Sequence, residues 1–198
     1  MTTRTRPAGL FLTPGAGSSA DHSSLRAIEA AVSPLPVVRH DFPYRREGRR
    51  APDRAPKLLA DIAAAVPGPG WVLGGRSMGG RMCSMAVADG LVDAAGLVLI
   101  CYPLHAPGKP DKPRTEHLPR LTVPCLFISG TKDAFGTPAE LEAAASTIPG
   151  PVTHVWVEGK GHDLKGSDAL LAETVARWLR GLRGSGPRAR GGRSRGSG

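Results

Sequence analysis

Short apolar runs alternate with amphipathic stretches along the chain, and proline or glycine marks almost every change of period. Gly9-Leu10-Phe11-Leu12-Thr13, Val37-Val38-Arg39-His40-Asp41-Phe42 and Trp71-Val72-Leu73-Gly74-Gly75 have strand length and strand character. So do residues 96–101, 124–129 and 151–157, of which the first reads as a strand buried on both faces. Between these runs the spacing is helical. Residues 23–31 set Leu25, Ile28 and Val32 on one face before the stop at Pro34, and residues 55–66 set Leu58, Leu59, Ile62 and Val66 on another before Pro67-Gly68-Pro69-Gly70. Helices are also predicted over residues 78–89, from Thr137 to near Ile148, and over residues 168–182 capped by Ser167 or Asp168. Thr137-Pro138-Ala139-Glu140 is a strong start, with a capping threonine, proline at the first position and glutamate at the third. Pro43-Tyr44 ends the second strand and opens an arginine-rich loop. Pro103, Pro107, Pro110 and Pro113 exclude regular structure between Tyr102 and His117, which is expected to be a long loop over one end of the sheet.

Strands that alternate with helices predict an α/β fold, with a mainly parallel sheet covered by helices on both faces. In such sheets ligands gather at the carboxyl ends of the strands. A chain of 198 residues is long enough for a sizeable core, and no repeat divides residues 1–182, which read as one domain. The remaining segment, residues 183–198, holds five arginines, no acid and no large apolar residue, so it is expected to be a disordered basic tail. Removing those five charges lowers the formal net charge from +9 to +4. Such a tail can touch acidic partners without sequence specificity, so no specific nucleic-acid partner is expected. A second cluster, Arg45, Arg46, Arg49, Arg50, Arg54 and Lys57, lies inside the body and reads first as a solvated basic loop. No apolar run reaches membrane-spanning length and no apolar leader follows the first residues, so a cytoplasmic protein is expected. Cys83, Cys101 and Cys125 are odd in number and sit among apolar neighbours, as buried reduced thiols do.

The chemistry concentrates at Gly75-Arg76-Ser77-Met78-Gly79. An apolar strand precedes this Gly-x-Ser-x-Gly turn and a helix follows it, which is the context that lifts a serine hydroxyl clear of a sheet edge. Side chains at Gly75 and Gly79 would collide with neighbouring elements, and the turn itself is backbone-strained. A serine nucleophile needs a base for its proton and a third group to orient that base. Asp133 is the single carboxylate in Ser129-Gly130-Thr131-Lys132-Asp133-Ala134-Phe135, directly after a strand; Asp111, Asp163 and Asp168 lack that position. His162 follows the last strand in a glycine-rich loop, Glu158-Gly159-Lys160-Gly161-His162, able to curl back towards the serine. His22, His40, His105, His117 and His154 read as solvated or structural. An oxyanion needs two preorganised N–H donors, one expected from Met78 and the other from Ala16 or Gly17 in Pro14-Gly15-Ala16-Gly17. Neither glycine-rich loop ends in the Lys-Ser/Thr of a phosphate-binding P-loop, and no Cys/His/carboxylate spacing suggests a catalytic metal or another cofactor.

Six pieces of sequence in this order resemble the α/β-hydrolases, and within them the small dienelactone-hydrolase-like group typified by testis-expressed-type α/β-hydrolase proteins. They are Pro14-Gly15-Ala16-Gly17, Asp41-Phe42-Pro43-Tyr44, Gly74 through Arg81, Tyr102-Pro103-Leu104-His105 with Pro107-Gly108-Lys109-Pro110, Ser129-Gly130-Thr131-Lys132-Asp133 with Phe135-Gly136-Thr137-Pro138, and Gly161-His162-Asp163-Leu164. The resemblance implies an α/β-hydrolase fold in minimal form and a Ser77, Asp133, His162 triad. Two departures stand out: Pro14 occupies a place where such proteins often carry histidine, and no cap domain is inserted, so a shallow, open pocket is expected.

The first functional reading is a serine hydrolase that cleaves a small ester or thioester through an acyl-enzyme. The second is a catalytically weak or inactive interaction module that meets an acidic partner through the basic loop and tail. A third gives the arginines at positions 45–54 the task of selecting an anionic acyl substrate. Oligomeric state has no signature in the chain.

Overall fold

The computed structural model describes residues 6–182. The tail expected over residues 183–198 lies outside them. Six strands form one parallel sheet in the order β2-β1-β3-β4-β5-β6, with β1 Gly9–Thr13, β2 Val37–Arg39, β3 Trp71–Arg76, β4 Ala94–Ile100, β5 Cys125–Gly130 and β6 Val152–Val157. The helices are α1 Ser23–Val32, α2 Pro43–Arg46, α3 Ala55–Ala65, α4 Met78–Ala88, α5 Pro138–Ala145 and α6 Asp168–Gly181.

The alternation of strand side chains divides the core into two layers. Along β1, Leu10 and Leu12 point into one layer with Leu25 and Ile28 of α1 and Leu171 and Val175 of α6. Phe11 points into the other, with Leu58 and Ile62 of α3, Met82 of α4 and Leu141 of α5. Apolar side chains are thus required on both faces of the central strands, which is why β1, β3, β4 and β5 read as near-continuous apolar runs. No described helix is long and apolar enough to cross a membrane. Among the described residues no inserted cap interrupts the fold, and the segment between β4 and β5 holds only a short 3₁₀ turn at Leu118–Arg120.

The sheet reverses its winding between β1 and β3. The connection from β1 leads outward to the edge strand β2, and the chain then crosses back to β3 on the other side of β1. The carboxyl ends of β1 and β3 therefore send their loops apart and leave a crevice, the usual ligand position in a doubly wound sheet.

Among the boundaries that differ from the sequence expectation, three have a clear physical reason. β2 stops at Arg39 rather than at residue 42, because only Leu10–Leu12 stand opposite it in register. His40 still donates its N–H to the Leu12 carbonyl at 2.8 Å, but Asp41 turns away and its carboxylate accepts the Ala20 N–H at 2.8 Å. The expected arginine loop instead begins with the single turn α2, with Pro43 at its first position, where a fixed φ and a missing N–H cost nothing. β4 starts two residues early, where Ala94 pairs with Trp71 across an irregular register.

The proline-rich segment after β4 is anchored by a buried polar network. Tyr102 donates its hydroxyl to the Arg114 carbonyl at 2.9 Å, and Ser84 of α4 donates to the Arg81 carbonyl at 2.8 Å. Both oxygens thereby present lone pairs to His117 Nε2, at 3.4 Å and 2.8 Å respectively. His117 is buried, and burial, with Arg81 and Arg120 adding repulsion, pushes its pKa down to about 4. The ring is neutral at neutral pH.

The sign of the resulting pH dependence is fixed. Between about pH 6.5 and about pH 4 the unfolded chain binds a proton that folded His117 refuses, so folding stability falls as pH drops through that window. The full shift is equivalent to ~3 kcal/mol. Urea unfolding of the wild type and His117→Gln at pH 7 and pH 4.5 checks it: the variant should lose less stability over this interval, and parallel losses would refute the assignment.

Candidate active site

The strand-to-helix junction at the end of β3 has room for a serine only because its glycine neighbours have no side chains. A Cβ at Gly75 would strike the Thr13 carbonyl of β1, and one at Gly79 would strike the Pro14 carbonyl and Thr13 Oγ1. The chain between them turns so sharply that Ser77 takes φ 48° and ψ −119°, a conformation that costs a non-glycine residue ~1–3 kcal/mol. It is held there because the Ser77 N–H donates to the Ile100 carbonyl at 2.8 Å and the Ser77 carbonyl accepts the Arg81 N–H at 3.1 Å. The first bond ties the junction to β4 and the second begins α4.

Two further loops meet this junction. Asp133 lies after β5, almost wholly buried, with its Oδ1 accepting the Phe135 N–H at 2.9 Å. His162 lies between β6 and α6. The Lys132 N–H donates to the Lys160 carbonyl at 2.9 Å and the Gly159 N–H to Thr131 Oγ1 at 2.9 Å, so the two loops are joined along their length. His162 Nδ1 is 2.8 Å from Asp133 Oδ2, and Nε2 is 2.8 Å from Ser77 Oγ. With the proton on Nδ1 donated to Asp133, Nε2 is free to accept the serine proton. The Phe135 ring stacks on the imidazole with centroids 4.0 Å apart and limits its rotation. A chain of this geometry can convert a serine hydroxyl into a nucleophile.

The other carboxylates and histidines stay outside this hydrogen-bond path, although Asp163 and His22 also line the pocket around Ser77. Asp111 is exposed, the exposed Asp163 accepts the Lys165 N–H at 3.2 Å, and Asp168 begins α6. The other histidines have structural partners. His22 caps α1 through Ser24, His40 meets Asp61 at 2.6 Å, His105 lies 3.5 Å from Glu140, and His154 stacks between Phe127 and Trp156.

The loop after β1 borders the same pocket, with Ala16, Gly17 and Met78 among its lining. Met78, as the first residue of α4, has an N–H without an intrahelical partner. The Ala16 carbonyl accepts the hydroxyl of fully buried Tyr44 at 2.8 Å. Together with the Asp41–Ala20 bond, this fixes the loop from behind. In the sequence Tyr44 ends the second strand, opens the arginine-rich loop and closes the Asp41-Phe42-Pro43-Tyr44 piece, whereas its contact with Ala16 has no local signature.

The pocket has a volume of about 590 Å³ and opens to solvent. Three residues missed as site components line it: Arg76, Arg81 and Arg114. The first two stand beside Ser77 at positions i−1 and i+4, a spacing visible in the sequence, whereas nothing local marks Arg114. The arginines at positions 45–54 do not line this pocket, contrary to the third reading. Several are engaged elsewhere: Arg46 pairs with Asp61 at 2.8 Å, Arg49 with Asp53 at 3.0 Å, and Lys57 with Asp53 at 3.3 Å. Cys83, Cys101 and Cys125 are buried free thiols, each pushed up to about 12 by burial. Cys101 lies near Asp133 and His162, the one potential metal-ligand group among the described residues. It does not fit a metal well, because the thiol is held protonated and both His162 nitrogens are engaged by Asp133 and Ser77.

Tyr44→Phe removes one hydrogen bond and leaves the Ala16 carbonyl without its buried donor. A stability loss of ~1 kcal/mol is expected in urea unfolding, with faster amide hydrogen exchange confined to residues 15–18. Unchanged exchange in that loop would mean that Tyr44 does not hold it.

Residues 6–180 match the family described as alpha/beta hydrolase domain. Among solved structures, the chain resembles an alpha-beta serine hydrolase homologue from Coxiella burnetii, at 19% identity and TM-score 0.70, covering 88% of this chain and 89% of that one. It also resembles Est1E from Butyrivibrio proteoclasticus, at 13% identity and TM-score 0.71, with 90% and 89% covered. A third likeness is to the type II thioesterase BorB from the borrelidin biosynthetic cluster, at 22% identity and TM-score 0.64, with 88% and 96% covered. At these identities the structural likeness establishes the fold, while the family match spans almost the whole of the described chain: this protein belongs to the alpha/beta hydrolase domain family.

Proposed function

We propose that the protein is a serine hydrolase that cleaves a small ester or thioester through an acyl-enzyme. The observation that carries this reading is the continuous hydrogen-bond path from buried Asp133 through His162 to Ser77, both links 2.8 Å long, on a strained turn at the sheet's switch point. Esterases and thioesterases among the structural neighbours support the reaction class. The motifs shared with the dienelactone-hydrolase-like group, and the uncapped pocket, support a small substrate.

In this mechanism Ser77 Oγ attacks the carbonyl carbon while His162 Nε2 takes its proton. Asp133 holds the imidazole in the required tautomer and stabilises the imidazolium that forms. The tetrahedral oxyanion is received by the N–H of Met78 and that of Ala16 or Gly17. On collapse, His162 returns the proton to the departing alcohol or thiol, leaving Ser77 acylated. Water then attacks the acyl carbon, His162 accepts its proton, and Ser77 leaves with the proton restored. Water is the only second reactant.

The interaction-module reading loses part of its basis among the described residues, since Arg46, Arg49 and Lys57 have acidic partners within the chain.

Labelling by a fluorophosphonate probe tests the proposal. Rapid modification of the wild type, abolished in both Ser77→Ala and His162→Ala, is the expected result. A folded wild type that stays unlabelled would overturn it. Once a turned-over ester is found, Asp133→Asn should lower kcat by about 10³–10⁴-fold with little change in the melting curve; a loss below tenfold would remove Asp133 from the mechanism.

A further inference from the structure

Several arginines away from the pocket have acidic partners within the chain. Arg39 meets Asp21 and Glu29, Arg120 meets Asp89 at 2.6 Å, and Arg177 meets Glu173. The arginines around the pocket are different. Arg81 is partly buried, one helical turn beyond Ser77 on α4, and Arg114 is partly buried on the proline-rich segment after β4. Neither guanidinium has a carboxylate within ion-pair distance among the described residues, and both line the pocket that contains Ser77. Arg76, more than nine-tenths buried, donates only to neutral acceptors: Ser24 Oγ at 3.3 Å and the Asp163 carbonyl at 2.7 Å. Among the described residues Asp163 is the only acid in the pocket lining, and its exposed carboxylate already accepts the Lys165 N–H.

This arrangement is costly without a ligand. Burial disfavours the charge on Arg81, and the positive charge of Arg114 adds to the effect. Tyr102 and the exposed Glu116 act in the opposite direction, but Glu116 is not within ion-pair distance of Arg81. Both arginines are nevertheless pinned through their backbones. The Arg114 carbonyl accepts the Tyr102 hydroxyl and its N–H donates to the Leu104 carbonyl at 2.7 Å. The Arg81 N–H donates to the Ser77 carbonyl, and its own carbonyl accepts the Ser84 hydroxyl. Two guanidiniums that line one pocket, partly buried and without a protein acceptor among the described residues, match the planar, bidentate recognition of a carboxylate or phosphate.

We propose that Arg81 and Arg114 form an anion subsite, so that the substrate is an ester or thioester bearing a carboxylate or phosphate that meets the pocket wall these two arginines line. The proposal rests on the serine-hydrolase reading for its reaction and on the two arginines for its selectivity. The anion belongs either to the acyl part or to the leaving group, and matched substrates distinguish the two.

The experiment compares kcat/KM for p-nitrophenyl hydrogen glutarate against p-nitrophenyl valerate, and for butyryl-phosphopantetheine against butyryl-N-acetylcysteamine. The enzymes are the wild type, Arg81→Gln, Arg114→Gln, the double Gln variant and Arg81→Lys. In the wild type one anionic member should exceed its neutral partner by about tenfold or more, which assigns the anion to the acyl or the leaving side. That ratio should approach one in the double variant, fall with added salt, and be partly restored by Arg81→Lys relative to Arg81→Gln. Ser77-dependent turnover with the same ratio in wild type and double variant would overturn the anion subsite and leave the hydrolase reading standing. If no ester is cleaved and no probe reacts, the hydrolase reading fails, and calorimetric titration with glutarate and with inorganic phosphate decides the subsite alone. Saturable binding lost in the double variant supports it, and no binding to the wild type overturns it.

Discussion

The close approach of β3 and the start of α4 to the end of β1 is the constraint on which the rest of the site depends. Without side chains at Gly75 and Gly79, these segments pass against Thr13 and Pro14 at distances no Cβ could share. The compression leaves Ser77 one strained position in which to turn the chain. A looser junction would let the turn relax into an ordinary loop, with the hydroxyl free to rotate among solvent-facing positions. Strain of ~1–3 kcal/mol is tolerable here because the surrounding sheet, through the bond from Ser77 to Ile100, leaves no competing conformation.

The other site components come from strands distant in sequence but ordered in the sheet. β3, β5 and β6 end on the same side because every pairing is parallel, so the loops carrying Ser77, Asp133 and His162 share one rim. Parallel order alone does not bring a loop after β6 across to β3. Hydrogen bonds join the two later loops, so Asp133 and His162 sit on one connected unit, and Arg76 reaches back from β3 to the Asp163 carbonyl. The guanidinium thus ties the histidine loop to the strand that carries the serine, which explains why a cation is buried at the x position before Ser77.

How much of this was legible follows from how local each signal is. The strand and helix alternation was readable because apolar periodicity and Gly/Pro punctuation are local, and the parallel sheet follows from that alternation. Ser77 stood out as a candidate from five consecutive residues, Asp133 from its position directly after an apolar strand, and His162 from the glycine-rich loop after the last one. The end of β2 was not readable, because it depends on how few β1 residues stand opposite it and on the bond from Asp41 to Ala20. The contact of Tyr44 with Ala16 and the place of Arg114 in the pocket were not legible either, since each joins residues far apart in sequence. The arginines at positions 45–54 drew attention by density alone. Density records charge, not its neutralisation, and the pairing of Arg46 with Asp61 and of Arg49 with Asp53 supplies part of that neutralisation in the folded chain.

The proline-rich segment after β4 takes a place that in a larger protein a cap could fill, and it does so with almost no regular structure. Prolines restrict its backbone, but restriction does not set position. Position comes from Tyr102, Ser84 and His117, whose hydrogen bonds join the segment to α4 and to the end of β4. Burial keeps His117 neutral, so the network places no additional buried cation beside Arg81 and Arg114. A protonated His117 would set a third positive charge against two that already lack acidic partners within ion-pair distance. The neutral ring is therefore what allows the wall of the pocket to be both fixed in place and positively charged.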